Sequence, residues 1–161
     1  MKTKFHWDIQ RPWNVKVTDR FSLKNGVHHF WVFKSDKPHT KTSQTHPRTE
    51  MALRHGWTSG QHMFIANFRV PKGSTGASIM QVFGGESQAT AAMIHTYNGQ
   101  LWYYHNTKLA DGIWNKWFEL KVIHDADKHT VTVFYNGKQV HETHDNGPAE
   151  YGFKCGAYTT D

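Results

Sequence analysis

Polar side chains stand at alternating positions in three strand-like runs, and their types suit the recognition of an anion. Arg48 and Glu50 share one face of the run Pro-Arg-Thr-Glu-Met-Ala-Leu, because side-chain direction repeats every two residues in a strand. Gln81 stands in the apolar run Ser-Ile-Met-Gln-Val-Phe, and Lys154 and Tyr158 share a face of the last predicted strand. Two interpretations follow. These are solvent-facing positions of a sheet covered on one side, or they line the concave face of a curved sheet and together bind a carboxylate.

The chain has 13 histidines and one cysteine, but their spacing argues against metal or nucleophile chemistry. Zinc sites need three or four ligands at close spacing, as in His-Glu-x-x-His, and no such pattern is present. His28 and His29 point to opposite faces if they lie on a strand, so they cannot share one ion. There is no Gly-x-Ser-x-Gly motif, no base paired with Cys155 in sequence and no glycine-rich phosphate loop. We therefore predict no metal, no cofactor and an inert, buried Cys155.

Charge and composition limit the possible partners. The 161 residues carry 19 Lys and Arg against 13 Asp and Glu, a formal net charge of +6 at pH 7. The composition is globular, and the length predicts a single domain over residues 1–161. Because no long apolar run is present, we predict no membrane insertion. The basic residues are scattered singly among acidic ones, which favours anionic partners other than nucleic acid.

Short β-strands must position these side chains. The predicted strands are Val27–Phe33, His62–Val70, Ser78–Phe83, Ala91–Tyr97, Gln100–Tyr104, Phe118–His124, Val131–Tyr135 and Lys138–Glu142. Asn98-Gly99 and Asn136-Gly137 each separate two such runs and predict tight hairpins, because both turn positions need positive φ; Asn25-Gly26 and Asn146-Gly147 mark further turns. About ten to twelve short strands without helical periodicity predict an antiparallel sandwich or barrel. The long polar segment 34–47 is predicted to be a functional loop.

Seven motifs in order along the chain make the sequence recognisable. They are Arg-Phe-Ser-Leu-Lys-Asn-Gly-Val-His (20–28), Ser-Asp-Lys-Pro-His-Thr (35–40), Pro-Arg-Thr-Glu (47–50), Thr-Ser-Gly (58–60), Ile-Met-Gln-Val-Phe-Gly (79–84), Trp-Phe-Glu-Leu-Lys-Val-Ile-His-Asp (117–125) and Phe-Lys-Cys-Gly-Ala-Tyr (153–158). On these motifs the chain, from about Asp19 to Tyr158, resembles the plant citrate-binding-protein-like family of the alginate lyase superfamily (polysaccharide lyase family seven and relatives). The resemblance implies an all-β, concanavalin-A-like jelly roll, a sandwich of two antiparallel sheets whose concave face holds the ligand groove.

The resemblance also implies a chemistry. Lyases of the superfamily cleave uronate polysaccharides by β-elimination, with three strand motifs lining the groove. Arg and Gln or Asn neutralise the carboxylate so that the neighbouring C5 proton becomes acidic, a Tyr or His takes that proton, and a Tyr often protonates the leaving oxygen. Arg48 and Glu50 match the first motif, Arg-Thr-Glu-Leu-Arg, but Ala52 stands at its second arginine position.

The other two motifs are kept in part. Gln81 matches the glutamine of Gln-Ile/Val-His, but Phe83 stands at the histidine position and has no proton to exchange. Lys154 and Tyr158 match Tyr-Phe-Lys-Ala-Gly-x-Tyr, whereas Gly152 stands at the leading tyrosine position. The carboxylate-holding half of the lyase site is therefore largely kept, and the proton-moving half is damaged.

Other residues offer replacements. His95 and Tyr97 share a face of the run Ala-Met-Ile-His-Thr-Tyr, so His95 is a candidate relocated base with Tyr158 as the acid. The alternative is that His95 is a surface residue of a half-exposed strand. Tyr104 and the two aromatic residues before it are candidates for a platform on which sugar rings stack, although alternation turns some of them to the core.

The first hypothesis is a carboxylate-binding jelly roll whose ligand is an acidic polysaccharide or a small polycarboxylate such as citrate. Arg48 and Lys154 pair with the carboxylate, the former with two parallel hydrogen bonds and the latter as a point charge. Gln81 and Tyr158 orient the ligand, and Glu50 holds Arg48 in place.

Two further hypotheses remain open. The second is a polysaccharide lyase acting on alginate or glucuronan, with His95 or Tyr158 moving the proton, and the third is a stress-related or storage protein without a small ligand. The resemblance also implies the secretory route, toward the vacuole or the cell wall. Family members generally carry another strand after the Phe-Lys-Cys-Gly strand, so we expect that the chain is truncated or that the first strands, Phe5–Val17, take its place.

Overall fold

The computed structural model describes residues 6–53, 56–85 and 89–160, and its regular secondary structure consists almost wholly of antiparallel strands. A short 3-10 helix, Val17–Asp19, lies between the first two strands. The strands are β1 Trp7–Gln10, β2 Phe21–Lys24, β3 Val27–Phe30, β4 Arg48–Leu53, β5 Gln61–Arg69, β6 Ala77–Phe83, β7 Thr90–Tyr97, β8 Gln100–Tyr103, β9 Thr107–Ala110, β10 Trp117–Asp125, β11 Thr130–Tyr135, β12 Lys138–His144 and β13 Gly152–Thr159. Within the described ranges no helix is long and apolar enough to cross a membrane. The prediction of an all-β chain is confirmed.

The strands form two packed sheets and a separate hairpin. One sheet has seven strands in the order β1-β4-β13-β6-β7-β8-β9, the other has four in the order β12-β11-β10-β5, and β2 pairs with β3. Alternate residues of both sheets point inward, because side-chain direction repeats every two residues. The core between the sheets includes Met80, Val82, Ile94 and Leu101 from the first sheet and Phe118, Leu120, Val122 and Val133 from the second. The intervening residues of the seven-stranded sheet therefore face away from the core, and this side is called the outer face below.

Asn-Gly pairs close the hairpins as predicted. Asn98 and Gly99 have φ of 47° and 79°, and Asn136 and Gly137 have φ of 47° and 81°. Both residues of each pair are left-handed, as a two-residue hairpin turn requires. Asn25-Gly26 adopts the same geometry between β2 and β3.

Two predicted strands are shorter than expected. The run Val27–Phe33 leaves the sheet after Phe30, because the carboxylate of Asp36 accepts the backbone N–H of Phe33 at 2.9 Å and closes a turn there. The prediction that Tyr104 continues a strand is wrong. β8 ends at Tyr103, and Tyr104 has a φ of 45°, a left-handed conformation that ends extended pairing.

The N-terminal segment supplies an edge strand. β1 pairs with β4 and stands at the end of the seven-stranded sheet, so part of the segment 5–17 does extend this sheet. Phe5 itself lies outside the described residues.

Candidate functional site

Strand register brings the predicted binding residues onto the outer face. Arg48 of β4 is opposite Tyr158 of β13, and Lys154 of β13 is opposite Gln81 of β6. Glu50 lies two residues after Arg48 on β4 and therefore shares its face. Residues that are directly opposite on neighbouring strands share a face, so all five side chains lie on one side of the sheet.

Glu50 is the centre of this group. Arg48 Nη1 donates to Glu50 Oε2 at 3.3 Å, and Gln81 Nε2 donates a short hydrogen bond to Glu50 Oε1. Thr90 Oγ1 in turn donates to Gln81 Oε1 at 3.4 Å. Burial raises the pKa of Glu50, while the charges of Arg48 and Lys154 and the hydrogen bond from Gln81 oppose that shift. We call Arg48, Glu50, Gln81 and Lys154 the cation cluster.

Lys154 is held by neutral and aromatic partners. Its Nζ donates to Gln10 Oε1 of β1 at 3.3 Å and lies 3.9 Å from the centre of the Phe83 ring. Burial lowers the pKa of Lys154, against the opposing charge of Glu50. Phe83, which stands where the resemblance places a proton-moving histidine, thus presents a ring face to the ammonium group.

The cation cluster is buried, which excludes the interpretation of these positions as solvent-facing. The exposed fractions are 6% for Arg48, 0% for Glu50, 1% for Gln81 and 8% for Lys154. Part of the shielding comes from the β2–β3 hairpin, which reaches this face at Gly156, the residue opposite Glu50. A Cβ at Gly156 would lie 3.0 Å from Phe30 Cδ1 and 2.4 Å from the Thr49 carbonyl oxygen, and its φ is 147°, so only glycine fits.

The long polar segment continues this covering, and we call β2, β3 and residues 31–47 the cover. The polar segment 31–47 is attached to the rest of the domain through Trp13, whose backbone N–H donates to the Pro38 carbonyl oxygen at 2.9 Å. The next residue, His39, lies close enough to Arg48 and Lys154 for their charges to act on it. Burial and then these two cations lower the pKa of His39.

A second group of functional side chains lies farther along the outer face. A shallow pocket of about 160 Å³ is lined by His46, Met93, His95, Tyr104, His105, Tyr158, Thr159 and Thr160, and we call it the His–Tyr pocket. The Tyr97 hydroxyl lies 3.3 Å from Nδ1 of His95, 3.0 Å from Nδ1 of His105 and 2.8 Å from Thr160 Oγ1. His95 is only 2% exposed, so its description as a surface residue of a half-exposed strand is wrong: the rings of Tyr97, Tyr104 and His105 enclose it.

The three residues of the predicted aromatic platform do not all lie on one face of the sheet. Trp102 is opposite His95 on the outer face and lines a neighbouring pocket of about 250 Å³ with Tyr97, Asn98, Gln100 and His105. Tyr103 turns inward and packs against the core. The Tyr104 hydroxyl donates to the Thr90 carbonyl oxygen at 2.9 Å, and burial, with Tyr103 nearby, raises its pKa to about 12, so Tyr104 is a poor proton acceptor at neutral pH.

Tyr158 connects the two groups. It lines the His–Tyr pocket, and the guanidinium carbon of Arg48 lies 3.9 Å from the centre of its ring. The structure thus brings together Arg48, Glu50, Gln81, Lys154 and Tyr158 in one group and His95, Tyr104 and Tyr158 in the other. Their roles toward a ligand stay predictions. Sequence reasoning missed Gln10, His39 and His105, of which only His39 had a signal, namely its place in the predicted functional loop.

Known proteins are similar to this chain in sequence and in fold. The sequence model described as alginate lyase matches residues 5–161. The chain is 43% identical over 157 residues to the citrate-binding protein of Hevea brasiliensis, covering 97% of this chain and 66% of that protein, so it spans just under two thirds of that relative's length.

Solved structures agree on the architecture. The alginate lyase AlgAT5 of polysaccharide lyase family 7 superposes with a TM-score of 0.72 at 19% identity, over 96% of this chain and 83% of that one. The alginate lyase from Corynebacterium sp. gives a TM-score of 0.74 at 19% identity, over 95% of this chain and 81% of that one. These likenesses confirm the jelly-roll sandwich. The match of the alginate lyase model over residues 5–161 establishes that the chain belongs to the alginate lyase family.

Proposed function

We propose that the protein binds a carboxylate-bearing ligand at the cation cluster, and that a small polycarboxylate such as citrate fits it best. The observation that carries this proposal is the burial of two cations, Arg48 and Lys154, on one face of a sheet. A buried charge is costly unless an opposite charge compensates it. Glu50 gives its oxygens to Arg48 and Gln81, while the Lys154 ammonium donates to the neutral amide of Gln10. An incoming carboxylate would supply the missing negative charge.

The preference for a small ligand rests on the cover. The members of the cation cluster are at most 8% exposed, so a long polymer laid across the outer face would not reach them while the cover is in place. A small acid, or the end of a uronate chain, needs only a local movement of the cover. The name of the Hevea relative, citrate-binding protein, supports citrate as the first ligand to test.

Calorimetric titration at low salt tests the proposal, with citrate and a uronate trisaccharide as ligands. Lys154→Met keeps the length of the side chain without its charge, and Lys138→Met is the matched control because Lys138 is exposed on β12 of the other sheet. We expect Lys154→Met to weaken citrate binding at least tenfold, since loss of a buried charge partner typically costs about 2 kcal/mol or more. No heat with either ligand, or equal affinity for both variants, would contradict the proposal.

A second candidate function, β-elimination of a uronate polysaccharide, is favoured by the contact between the two groups. His95 would take the C5 proton, the C4–O4 bond would break as the C4–C5 double bond forms, and Tyr158 would protonate the departing O4. Once the cover moves, Arg48, which lies against the Tyr158 ring, would neutralise the uronate carboxylate. This route needs a polymer at the His–Tyr pocket, which is open to solvent at the exposed His46 and His105.

Ultraviolet absorbance of the new C4–C5 double bond distinguishes the two functions. The intact protein is mixed with alginate and with glucuronan, alongside His95→Gln, Tyr158→Phe and the control His29→Gln, whose side chain is exposed on β3. Activity that His95→Gln and Tyr158→Phe abolish and His29→Gln retains would establish the lyase. No rise in absorbance with either polymer would leave binding as the function of the outer face.

A further inference from the structure

Two buried nitrogen atoms, one on the sheet and one on the cover, lack a hydrogen-bond partner among the described residues. Arg48 Nε and His39 Nδ1 are both inaccessible to solvent, and neither has a hydrogen-bond partner among the described residues. A buried polar atom left unpaired costs about 1–3 kcal/mol, so proteins rarely leave such atoms unsatisfied without a functional reason. Arg48 comes from β4 of the sheet and His39 from the cover, and the two lie close enough for the charge of Arg48 to act on the His39 ring.

The charges that act on His39 are both positive. They are Arg48 from β4 and Lys154 from β13, and together with burial they disfavour the protonated ring in the ligand-free protein. Glu50, the carboxylate beside these cations, is engaged by Arg48 and Gln81. An anion placed between the cover and the sheet would therefore meet the guanidinium, the ammonium and the imidazole at once.

We propose that His39 is a third anion-binding residue, and that its ring takes up a proton when a carboxylate ligand binds between it, Arg48 and Lys154. This inference rests on the proposed binding function and deepens it. The ligand's negative charge offsets the repulsion from the two cations, and the protonated ring then donates a charge-assisted hydrogen bond to the carboxylate. The cover thereby becomes part of the binding site rather than an obstacle to it.

Proton uptake makes binding depend on pH in a defined direction. When binding takes up one proton, affinity rises as the pH falls, by at most about tenfold per pH unit. The effect spans the interval between the pKa of His39 in the free protein, which lies below the usual histidine value, and its higher pKa in the complex. Ligand release is correspondingly favoured at higher pH.

Calorimetry of citrate binding near pH 6.5, in two buffers of different ionisation enthalpy, counts the protons exchanged. His39→Asn keeps a donor near the position of Nδ1 but does not titrate, and His29→Asn is the matched control on the exposed face of β3. The ligand's own titration is common to all three proteins, so the difference between them isolates His39. We expect the intact protein and His29→Asn to take up as much as one proton more than His39→Asn. Equal proton uptake in all three would overturn the inference while leaving the binding function intact.

Nuclear magnetic resonance provides a readout that needs no variant. The titration of the His39 ring is followed in the intact protein with and without saturating citrate, and the inference requires its pKa to rise on binding. An unchanged titration of His39 in a citrate-saturated sample would overturn the role of His39. Absence of binding of both citrate and the uronate trisaccharide at any pH between 5.5 and 8 would overturn the proposed function, and this inference with it.

Discussion

The guanidinium carbon of Arg48 lies 3.9 Å from the centre of the Tyr158 ring, and the two residues are directly opposite on neighbouring strands. This single contact joins the cation cluster to the His–Tyr pocket. The ring covers one face of the guanidinium, whose Nη1 donates to Glu50. The electrostatics of the two groups are therefore coupled through one aromatic side chain.

This contact predicts different effects for two substitutions of Tyr158. Tyr158→Phe keeps the ring against Arg48, whereas Tyr158→Leu keeps an apolar side chain but removes the π face. We expect Tyr158→Leu to lower the free energy of unfolding by about 1 kcal/mol more than Tyr158→Phe, the usual size of a partly desolvated cation–π contact. Urea denaturation of both variants measures this difference, and identical midpoints and slopes would show that the ring contact contributes nothing.

The cover is anchored by an ion pair, and weakening it should expose the cation cluster. Arg20 donates to both carboxylate oxygens of Asp36, from Nε at 2.8 Å and from Nη2 at 2.7 Å. The hydrogen bond from Arg20 is the main reason that the pKa of Asp36 is lowered. We expect Asp36→Asn to accelerate amide hydrogen exchange in residues 31–47 and to speed citrate association, because the bidentate pair is lost.

Asp111→Asn is the control for the cover experiment. Asp111 also forms an ion pair, with Lys108 at 2.8 Å, but that pair is exposed. Exposed pairs of this kind contribute little to stability. If the amide hydrogens of residues 31–47 exchange at the same rate in both variants as in the intact protein, the Arg20–Asp36 pair does not hold the cover in place.

A buried chain of hydrogen bonds lies at the four-stranded sheet. It predicts that the protein loses stability at acid pH. The Trp57 indole N–H donates to His124 Nδ1 at 2.8 Å, so the other ring nitrogen carries the proton and donates to Asp145 Oδ2, also at 2.8 Å. Burial acts to raise the pKa of Asp145, but the hydrogen bonds from His124 and from the Gly147 N–H outweigh it and hold this pKa below its usual value. The stability that this carboxylate contributes is therefore complete above about pH 4 and is lost as the pH falls through the lowered pKa.

Asp145→Asn tests this chain. At neutral pH the free energy of unfolding of the variant should be about 1–3 kcal/mol lower than that of the intact protein, because a buried donor loses its charged acceptor. Its stability should also decline less steeply than that of the intact protein between pH 4 and pH 2. Urea denaturation across this range measures both effects, and parallel pH profiles would rule out Asp145 as the responsible group.

Cys155 is half-buried rather than fully buried as predicted, and it packs against the core, so it should be unreactive in the folded protein. Burial, with the negative charge of Glu50, raises the pKa of its thiol to about 12. At pH 8 the thiolate fraction is then roughly a thousandfold smaller than for an ordinary cysteine, and the thiolate is the reactive form. Alkylation followed by mass spectrometry should therefore label Cys155 in urea but not in the native state. Rapid native labelling would show that the strand β13 opens readily.

Local features of the chain predicted much of this architecture. The Asn-Gly pairs placed the hairpins correctly, since the turn depends on two adjacent residues that tolerate positive φ. The alternation along β4 correctly put Arg48 and Glu50 on one face, because a strand repeats every two residues. The family motifs correctly indicated the jelly roll.

The environment of those side chains depends on the tertiary structure. Lys154 comes to lie opposite Gln81 through strand pairing between distant parts of the chain, and His39 approaches Arg48 because the cover folds over the sheet. Sequence determines which face of a strand a residue occupies, since that depends on its neighbours alone. Whether that face meets water or another part of the chain depends on long-range packing. For this reason the sequence predicted a set of anion-binding residues, and the fold decided that they are buried beneath a histidine-bearing cover.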